Sequence, residues 1–417
     1  MNVAVDSLTH IREQAAQRFD QLGFPTTKSE EWKYTSLAAL AKRDFRSDDR
    51  KREHADNLGM SLCGRAIAEL VFVNGRYAPE MCSAIPSHPG FRIMPLQQAA
   101  NEETFTRHFA RYADYHLHPL TALNTARAED GAYVEIAPST PIEGFIHLLF
   151  LGDGDDVMTN VRNLIVVGRG SQVTIVETYA GNGAYFTNVV TEVVALEGAN
   201  VDHYKIECES LAATHIGTLQ IHEERSAQVI SRTVSLGGAL VRNEINVALA
   251  GEGAGITLDG LFAINGTQHV DNHTVIDHLR PHCDSIELYK GILDDSARGI
   301  FDGRIIVRPD AQKTNSRQTN HNLLLSETAI VDSKPTLEIH NDDVKCNHGS
   351  TIGQLDEEAL FYLRSRGIAA EDARSLLVYA FASEIVERMK IDAVREHVRR
   401  QMFKQMPERL PERRESK

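Results

Sequence analysis

Two side chains that could bind a metal lie in the short run Lys345-Cys346-Asn347-His348-Gly349. In an extended strand, residues two apart point to the same side, so the Cys346 thiolate and the His348 imidazole would share one face. Sulfur and imidazole nitrogen suit iron, copper or zinc. They supply only half of a tetrahedral shell. Spacing therefore leaves two interpretations open: an inert, buried cysteine, or a site whose shell another chain or a transient ligand completes.

A second group of candidate ligands lies in the histidine-rich segment 269–283. If this segment is a strand, His269, Asp271 and His273 share one face and could hold a metal through imidazole and carboxylate groups. Their spacing matches no standard metal site, and the alternative is a solvated or hydrogen-bonded outer face of a β-structure. The sequence contains no GxxxxGK[ST], GxSxG or HExxH motif, so we expect no ATP hydrolysis by this chain itself.

The composition argues against several classes of function. The 417 residues include 44 Lys and Arg against 58 Asp and Glu, a formal charge of −14, which disfavours a dedicated nucleic-acid-binding protein. No apolar run approaches the ~20 residues of a membrane helix. Five scattered cysteines without a CxxC pair indicate neither a disulfide framework nor a zinc ribbon. We expect a cytoplasmic protein that binds neither nucleic acid nor membrane.

An internal repeat in the middle of the chain predicts the elements that position these side chains. Turn-like triplets recur at steps of 28, 28 and 27 residues and begin at Ser171, Ala199, Ala227 and Ala254. A second series with nearly the same interval is found at Thr187, Ile216, Arg242 and Asp271. Apolar and polar residues alternate within each unit, and one unit cannot bury its apolar face without its neighbours. The pattern predicts a mainly β protein with a β-helix or β-roll over about 130–345, whereas propeller repeats are usually longer.

The regions on either side of the repeat are predicted to be mainly helical. An apolar stripe over residues 5–22 predicts a helix that ends at Gly23, and Asn74-Gly75 predicts a β-hairpin. The predicted organisation is an N-terminal helical region with a hairpin (1–129), a β-helix (130–348) and a C-terminal helical domain (349–417).

One face of the C-terminal region has apolar residues at helical spacing. Four of them are candidates for a contact surface: Leu377, Ala380, Phe381 and Ile385. Such a face either packs on the chain's own core or docks a partner, and spacing alone does not separate the two interpretations. Asp356 is placed to begin a helix in this region, and Gly367 to end it.

Several longer motifs resemble the SufB/SufD family of iron–sulfur cluster assembly proteins. They lie at 29–35, 123–131, 319–325, 333–353 and 361–368, so the resemblance covers nearly the whole chain. The length and the Lys-Cys-x-His-Gly form are similar to the SufD branch, because SufB chains are generally longer and carry a His-Glu motif. Asn347 and Ser350 depart from the Ser and Ala that are common at these two positions.

The resemblance implies a right-handed parallel β-helix between helical ends. It also implies a non-ATPase, non-enzymatic scaffold subunit that pairs with SufB and binds the ABC-type ATPase SufC through the C-terminal face containing Leu377, Ala380, Phe381 and Ile385. Cys346 and His348 would contribute to a cluster-assembly site at the SufB interface, with iron or a cluster held transiently and no tightly bound cofactor.

Other functions stay open at this point. A homodimer of the isolated chain is plausible because SufB and SufD share a fold. The alternatives are a β-helix carbohydrate-active enzyme, disfavoured by 6% aromatic residues, and a homo-oligomeric metal-binding protein built on residues 269–283.

Overall fold

The computed structural model describes residues 3–45, 66–82, 85–86 and 88–405. The apolar stripe predicted for the first helix begins at Val5, whose side chain lies outside the described part. The cysteine at position 63 and the end of the predicted C-terminal domain, beyond 405, also lie outside the described residues. The α-helices of the described residues are α1 (Val3–Leu22), α2 (Glu103–His108), α3 (Pro119–Arg127), α4 (Glu357–Ser365), α5 (Ala370–Val386) and α6 (Asp392–Gln405).

Strands make up 44% of the described residues. In chain order they are β1 (Ala68–Val73), β2 (Arg76–Tyr77), β3 (Phe91–Pro95), β4 (Ala132–Ile136), β5 (Ile146–Asp153), β6 (Met158–Val167), β7 (Gln172–Asn182), β8 (Phe186–Ala195), β9 (Asn200–Cys208), β10 (Thr214–Glu223), β11 (Gln228–Ser235), β12 (Leu240–Leu249), β13 (Gly255–Ile264), β14 (His269–His278), β15 (Asp284–Leu293), β16 (Arg298–Val307), β17 (Asn315–Leu324), β18 (Ile330–Ile339) and β19 (Lys345–Gly353).

From β4 onward, successive strands alternate between two sheets, here called the odd sheet and the even sheet. The odd sheet runs in the order β19-β17-β15-β13-β11-β9-β7-β5-β1-β2, and the even sheet in the order β18-β16-β14-β12-β10-β8-β6-β4-β3. Neighbours from β4 and β5 onward pair in parallel, so each coil adds one strand to each sheet. The result is a parallel β-solenoid of about eight turns between helical ends, which confirms the predicted fold class.

The register of the strands confirms the repeat found in the sequence. Val173, Val201, Val229 and Ile256 pair in succession across four strands of the odd sheet. All four are buried, and they stack in one column of the core because each lies at the same short distance after a turn of the repeat. In the second series, the pairing order is Asn188, Ile216, Arg242 and Asp271.

Local signals at both ends of the chain are confirmed as well. The β1–β2 hairpin turns through Asn74 and Gly75, both with positive φ, as a type I′ turn requires. Helix α1 ends at Leu22, directly before Gly23 with φ 63°. The side chain of Asp356 caps α4 by accepting hydrogen bonds from the backbone N–H groups of residues 358 and 359.

The sheets extend past the predicted limits of the β-helix on both sides. Strand β1 pairs in parallel with β5, and β3 pairs antiparallel with β4, so strands from the region 1–129 cover the first coil. At the other end, the predicted boundary after His348 lies inside β19, which continues to Gly353. No helix among the described residues has the length and apolarity needed to cross a membrane.

Candidate functional site

The last coil of the solenoid leaves two sheet edges unpaired within the described part of the chain. Strand β19 pairs only with β17, and β18 pairs only with β16. Residues of β18 are half-buried or exposed along its whole length, and β19 is more exposed still. The two edges are joined by a hydrogen bond of 2.7 Å between the Ser333 and Ser350 hydroxyls. Such edges are templates for pairing with another strand.

Cys346 and His348 lie on this edge strand and share one face, as the sequence predicts. Cys346 pairs with Ser316 and His348 pairs with Gln318 on β17, and both partners are fully buried inside the solenoid. The two side chains therefore stand over the open end of the interior. Cys346 is half-buried against the core, whereas His348 is exposed. Burial raises the pKa of the Cys346 thiol, and the nearby backbone N–H of Ser316 partly offsets the increase.

A polar layer lies directly beneath the pair. The hydroxyl of Ser285 donates to that of Ser316 at 2.7 Å, and the Gln318 amide donates to the Glu287 carboxyl group at 2.7 Å. These four side chains are at most 1% exposed. Sequence alternation indicated which residues face inward, but gave no sign that the last coils would bury hydroxyl, amide and carboxyl groups. No cluster of three or more His, Cys, Asp or Glu in the described ranges is arranged to hold a metal.

The second group of candidate ligands, in the histidine-rich strand, contacts the N-terminal region of the chain and Arg242. Asp271 is fully buried, and accepts hydrogen bonds from the Arg242 guanidinium and the Thr35 hydroxyl. His269 lies 2.9 Å from the Thr35 hydroxyl. The indole ring of Trp32 covers Arg242 at 4.0 Å from its centroid. The histidine-rich strand therefore holds residues 29–35 of the N-terminal region against the even sheet, and its carboxylate is already engaged.

The four predicted docking residues do not share one surface. Ile385 is fully buried against the outer face of the odd sheet, where it packs with Leu261 and Ile292. It cannot contact a partner in this arrangement, because the chain's own sheet covers its side chain. Ala380 is exposed, and two others are half-buried: Leu377 and Phe381.

The most exposed large apolar side chains of the C-terminal helices are elsewhere. Phe361 is 74% exposed and Tyr362 is 57% exposed on α4, which packs against α5, and Leu376 on α5 is 38% exposed. Helical spacing could not find them, because two adjacent aromatic residues do not form a stripe. Their exposure makes α4 and the adjoining part of α5 the accessible apolar surface of this end.

Comparison with known proteins identifies the family to which the chain belongs. The sequence model of the SufBD core domain of SUF-system FeS cluster assembly matches residues 150–381, and that of the SufBD N-terminal region matches residues 2–148. A SufBD family protein of Synechocystis is 33% identical over 409 residues, covering 94% of this chain and 90% of the relative. SufD of Escherichia coli is 31% identical over 397 residues, covering 92% and 90%. SufD of Bacillus subtilis is 28% identical over 286 residues, covering 67% and 65%. The chain belongs to the SufB/SufD family of SUF-system iron–sulfur cluster assembly proteins and is most like SufD.

Proposed function

We propose that the chain is a non-ATPase scaffold subunit that forms one half of a cluster-assembly site. The observation that carries this proposal is the placement of Cys346 and His348 on an unpaired edge strand, over the open end of the solenoid. A thiol and an imidazole on one face can bind iron, and the two together leave further coordination positions of the metal open. Iron and sulfide are the cargo of such a site, held while a cluster forms.

SufB is the proposed partner at this end. A solenoid of the same family presents an equivalent last coil, and edge strands of two chains extend a sheet by main-chain hydrogen bonds. Ile330, Ile339 and Ile352 are 55%, 41% and 51% exposed on the two edge strands, so pairing would also cover apolar side chains. The partner's residues would complete the half-shell that Cys346 and His348 provide.

Binding of iron by Cys346 requires loss of the thiol proton. Burial raises the pKa of this thiol, so the free chain holds it in the protonated form at neutral pH. Coordination by a metal stabilises the thiolate and releases the proton. His348 is exposed on the same face and supplies a nitrogen ligand in its neutral form. We therefore propose that His348 binds iron first, and that Cys346 becomes the second ligand once its thiol has lost its proton.

Two isoleucines offer a matched test of the pairing surface. Ile352 on β19 is 51% exposed and Ile286 on β15 is 49% exposed, but only Ile352 lies on an edge strand. Ile352→Lys is expected to weaken binding of SufB by about tenfold or more, because a hot-spot side chain would be lost and a charge buried. Ile286→Lys should leave binding unchanged in sedimentation-velocity titrations. Equal effects of the two substitutions would contradict pairing through this edge.

The C-terminal helices are the proposed docking surface for the ATPase SufC. We place the contact on the exposed Phe361 and Tyr362 of α4, together with Leu377, Ala380 and Phe381 of α5, and exclude Ile385. ATP hydrolysis would then belong to the partner. Tyr362→Ala should weaken capture of SufC, and Leu117→Ala, which removes a side chain that is 67% exposed in the N-terminal region, should not. Retained capture by the Tyr362 variant would refute this surface.

The same edges allow a homodimer when SufB is absent. Two copies related by a two-fold axis would pair β19 with β19 and β18 with β18, an isologous contact that closes on itself. The expected observation is a concentration-dependent dimer that SufB displaces and that Ile352→Lys disrupts. A dimer insensitive to that substitution would place the contact elsewhere on the chain.

A further inference from the structure

One buried lysine connects the C-terminal helices to the coils near the open end. Lys290 on β15 is 5% exposed and lies beneath α5. Its ammonium group donates to the Phe381 carbonyl at 3.1 Å, forms an ion pair with Glu384, and lies 4.4 Å from the centroid of the Phe381 ring. Two of these three contacts are thus with a residue of the proposed docking surface.

Lys290 is also the first member of a row of side chains that leads to the edge strand. It pairs in register with His321 on β17, and His321 pairs with Thr351 on β19. The Nδ1 atom of His321 lies 2.6 Å from the Thr351 hydroxyl. Thr351 is three residues from His348 on the same strand. The row therefore spans the distance between α5 and the strand that carries both candidate ligands.

Other ion pairs fasten the same helical region farther from the open end. Arg388 binds Asp259 on β13 at 2.8 Å, and Lys390 binds Asp202 on β9 at 2.6 Å. Among the ion pairs described between these helices and the sheet, that of Lys290 with Glu384 is nearest to β19. If α5 moves, Lys290 is therefore the ion-paired residue through which the movement would first affect the last coils.

We propose that Lys290 is a positioning residue that couples the ATPase-docking surface to the cluster-assembly edge. A partner that moves the Phe381 ring or carbonyl takes away contacts from a buried ammonium group, and such a group is costly to leave unpaired. The lysine must follow the helix or turn toward His321. Because Lys290 is the paired neighbour of His321 and its charge acts on that imidazole, either movement changes the surroundings of the His321–Thr351 contact on β19. This inference rests on the proposed function, since it takes SufC to bind at α5.

The test is hydrogen exchange of the full-length chain, measured by mass spectrometry on peptides from 345–353. Each protein is compared alone and saturated with SufC and a non-hydrolysable ATP analogue. In the wild type, SufC is expected to change the exchange rate of these amides by about fivefold or more. Lys290→Met keeps an unbranched side chain of similar length and removes its charge. It should abolish the change in exchange rate while SufC still binds. Lys313→Met, at an exposed ion pair with Asp343 in the same end coils, is the control and should respond as the wild type does.

A second variant covers the case in which Lys290→Met fails to fold. Thr351→Val alters only an exposed side chain and removes the last contact of the row, so it should fold normally and reduce the response. Failure of SufC to bind the wild type would refute the proposed docking function. Binding with an unchanged response in Lys290→Met or Thr351→Val would refute the coupling alone. Loss of the response in Lys313→Met as well would also overturn the specific role of Lys290.

Discussion

Replacing Glu287 by Gln should stabilise the protein at neutral and alkaline pH. The Glu287 side chain is 1% exposed; the Gln318 amide donates to it at 2.7 Å, and Thr274 is a second hydrogen-bonding neighbour. Burial outweighs the hydrogen bonding and raises the pKa of the carboxyl group from 4.5 to about 7. Glutamine has nearly the same shape, can accept the same hydrogen bond, and carries no ionisable group.

The sign and size of the effect follow from proton binding. Below pH 4.5 the carboxyl group is protonated in both states, so the two proteins should be equally stable. Between pH 4.5 and about 7 the unfolded chain releases a proton that the folded chain keeps, which costs the folded state about 1.4 kcal/mol per pH unit. Above pH 7 the cost is complete at about 3 kcal/mol. Glu287→Gln removes this cost.

Urea unfolding from pH 4.5 to 8.5, followed by the fluorescence of the single tryptophan and by circular dichroism, measures the difference. It should grow from near zero to about 3 kcal/mol in favour of the variant. Glu177→Gln is the matched control. Burial alone would raise the pKa of Glu177, but the hydrogen bond and charge of His203 lower it, so this substitution should destabilise the protein at neutral pH. A difference for Glu287→Gln that does not change with pH would refute the reasoning.

Three further substitutions test the fold. Arg242→Met leaves the Asp271 carboxylate buried without its cation, so the free energy of unfolding should fall by about 3 to 5 kcal/mol in urea titrations, with faster hydrogen exchange in residues 29–35. Asp356→Ala removes the cap of α4 and should cost about 1 kcal/mol, seen as faster exchange in residues 357–365. Gly260→Ala would place a Cβ atom 2.1 Å from the Tyr289 ring, and should lower the melting temperature through an overpacking cost of about 1 to 3 kcal/mol. Unchanged stability in any of the three would contradict the corresponding contact.

The sequence predicts the solenoid because each coil repeats the same local pattern. Turns of small residues at a period near 28, and the alternation of apolar and polar residues, fix both the strands and their register, as the pairing of Val173 with Val201 shows. The hairpin at Asn74-Gly75 and the helix start at Asp356 are also local signals, each depending on a few adjacent residues.

Features that depend on distant contacts could not be predicted in this way. Helical spacing places Ile385 on an apolar face, but does not indicate whether a partner or the chain's own sheet covers that face. Strand β17 has polar residues on both faces, so nothing local indicates that Gln318 lies inside the solenoid with Glu287 below it. The position of His348 on an outer edge follows from the order of the strands in the sheet, which only the whole fold defines.

We propose above that the open end of the solenoid forms half of an iron–sulfur assembly site. The most direct measurement is the iron and acid-labile sulfide content of the chain co-expressed with SufB and SufC and purified without oxygen. His348→Ala should retain both partners and lose most of the iron and sulfide, because it removes the exposed side chain that we propose as a ligand. His340→Ala, which removes an exposed histidine just beyond β18, should keep the wild-type content. Full iron and sulfide in His348→Ala, or equal loss in the two variants, would contradict the assignment.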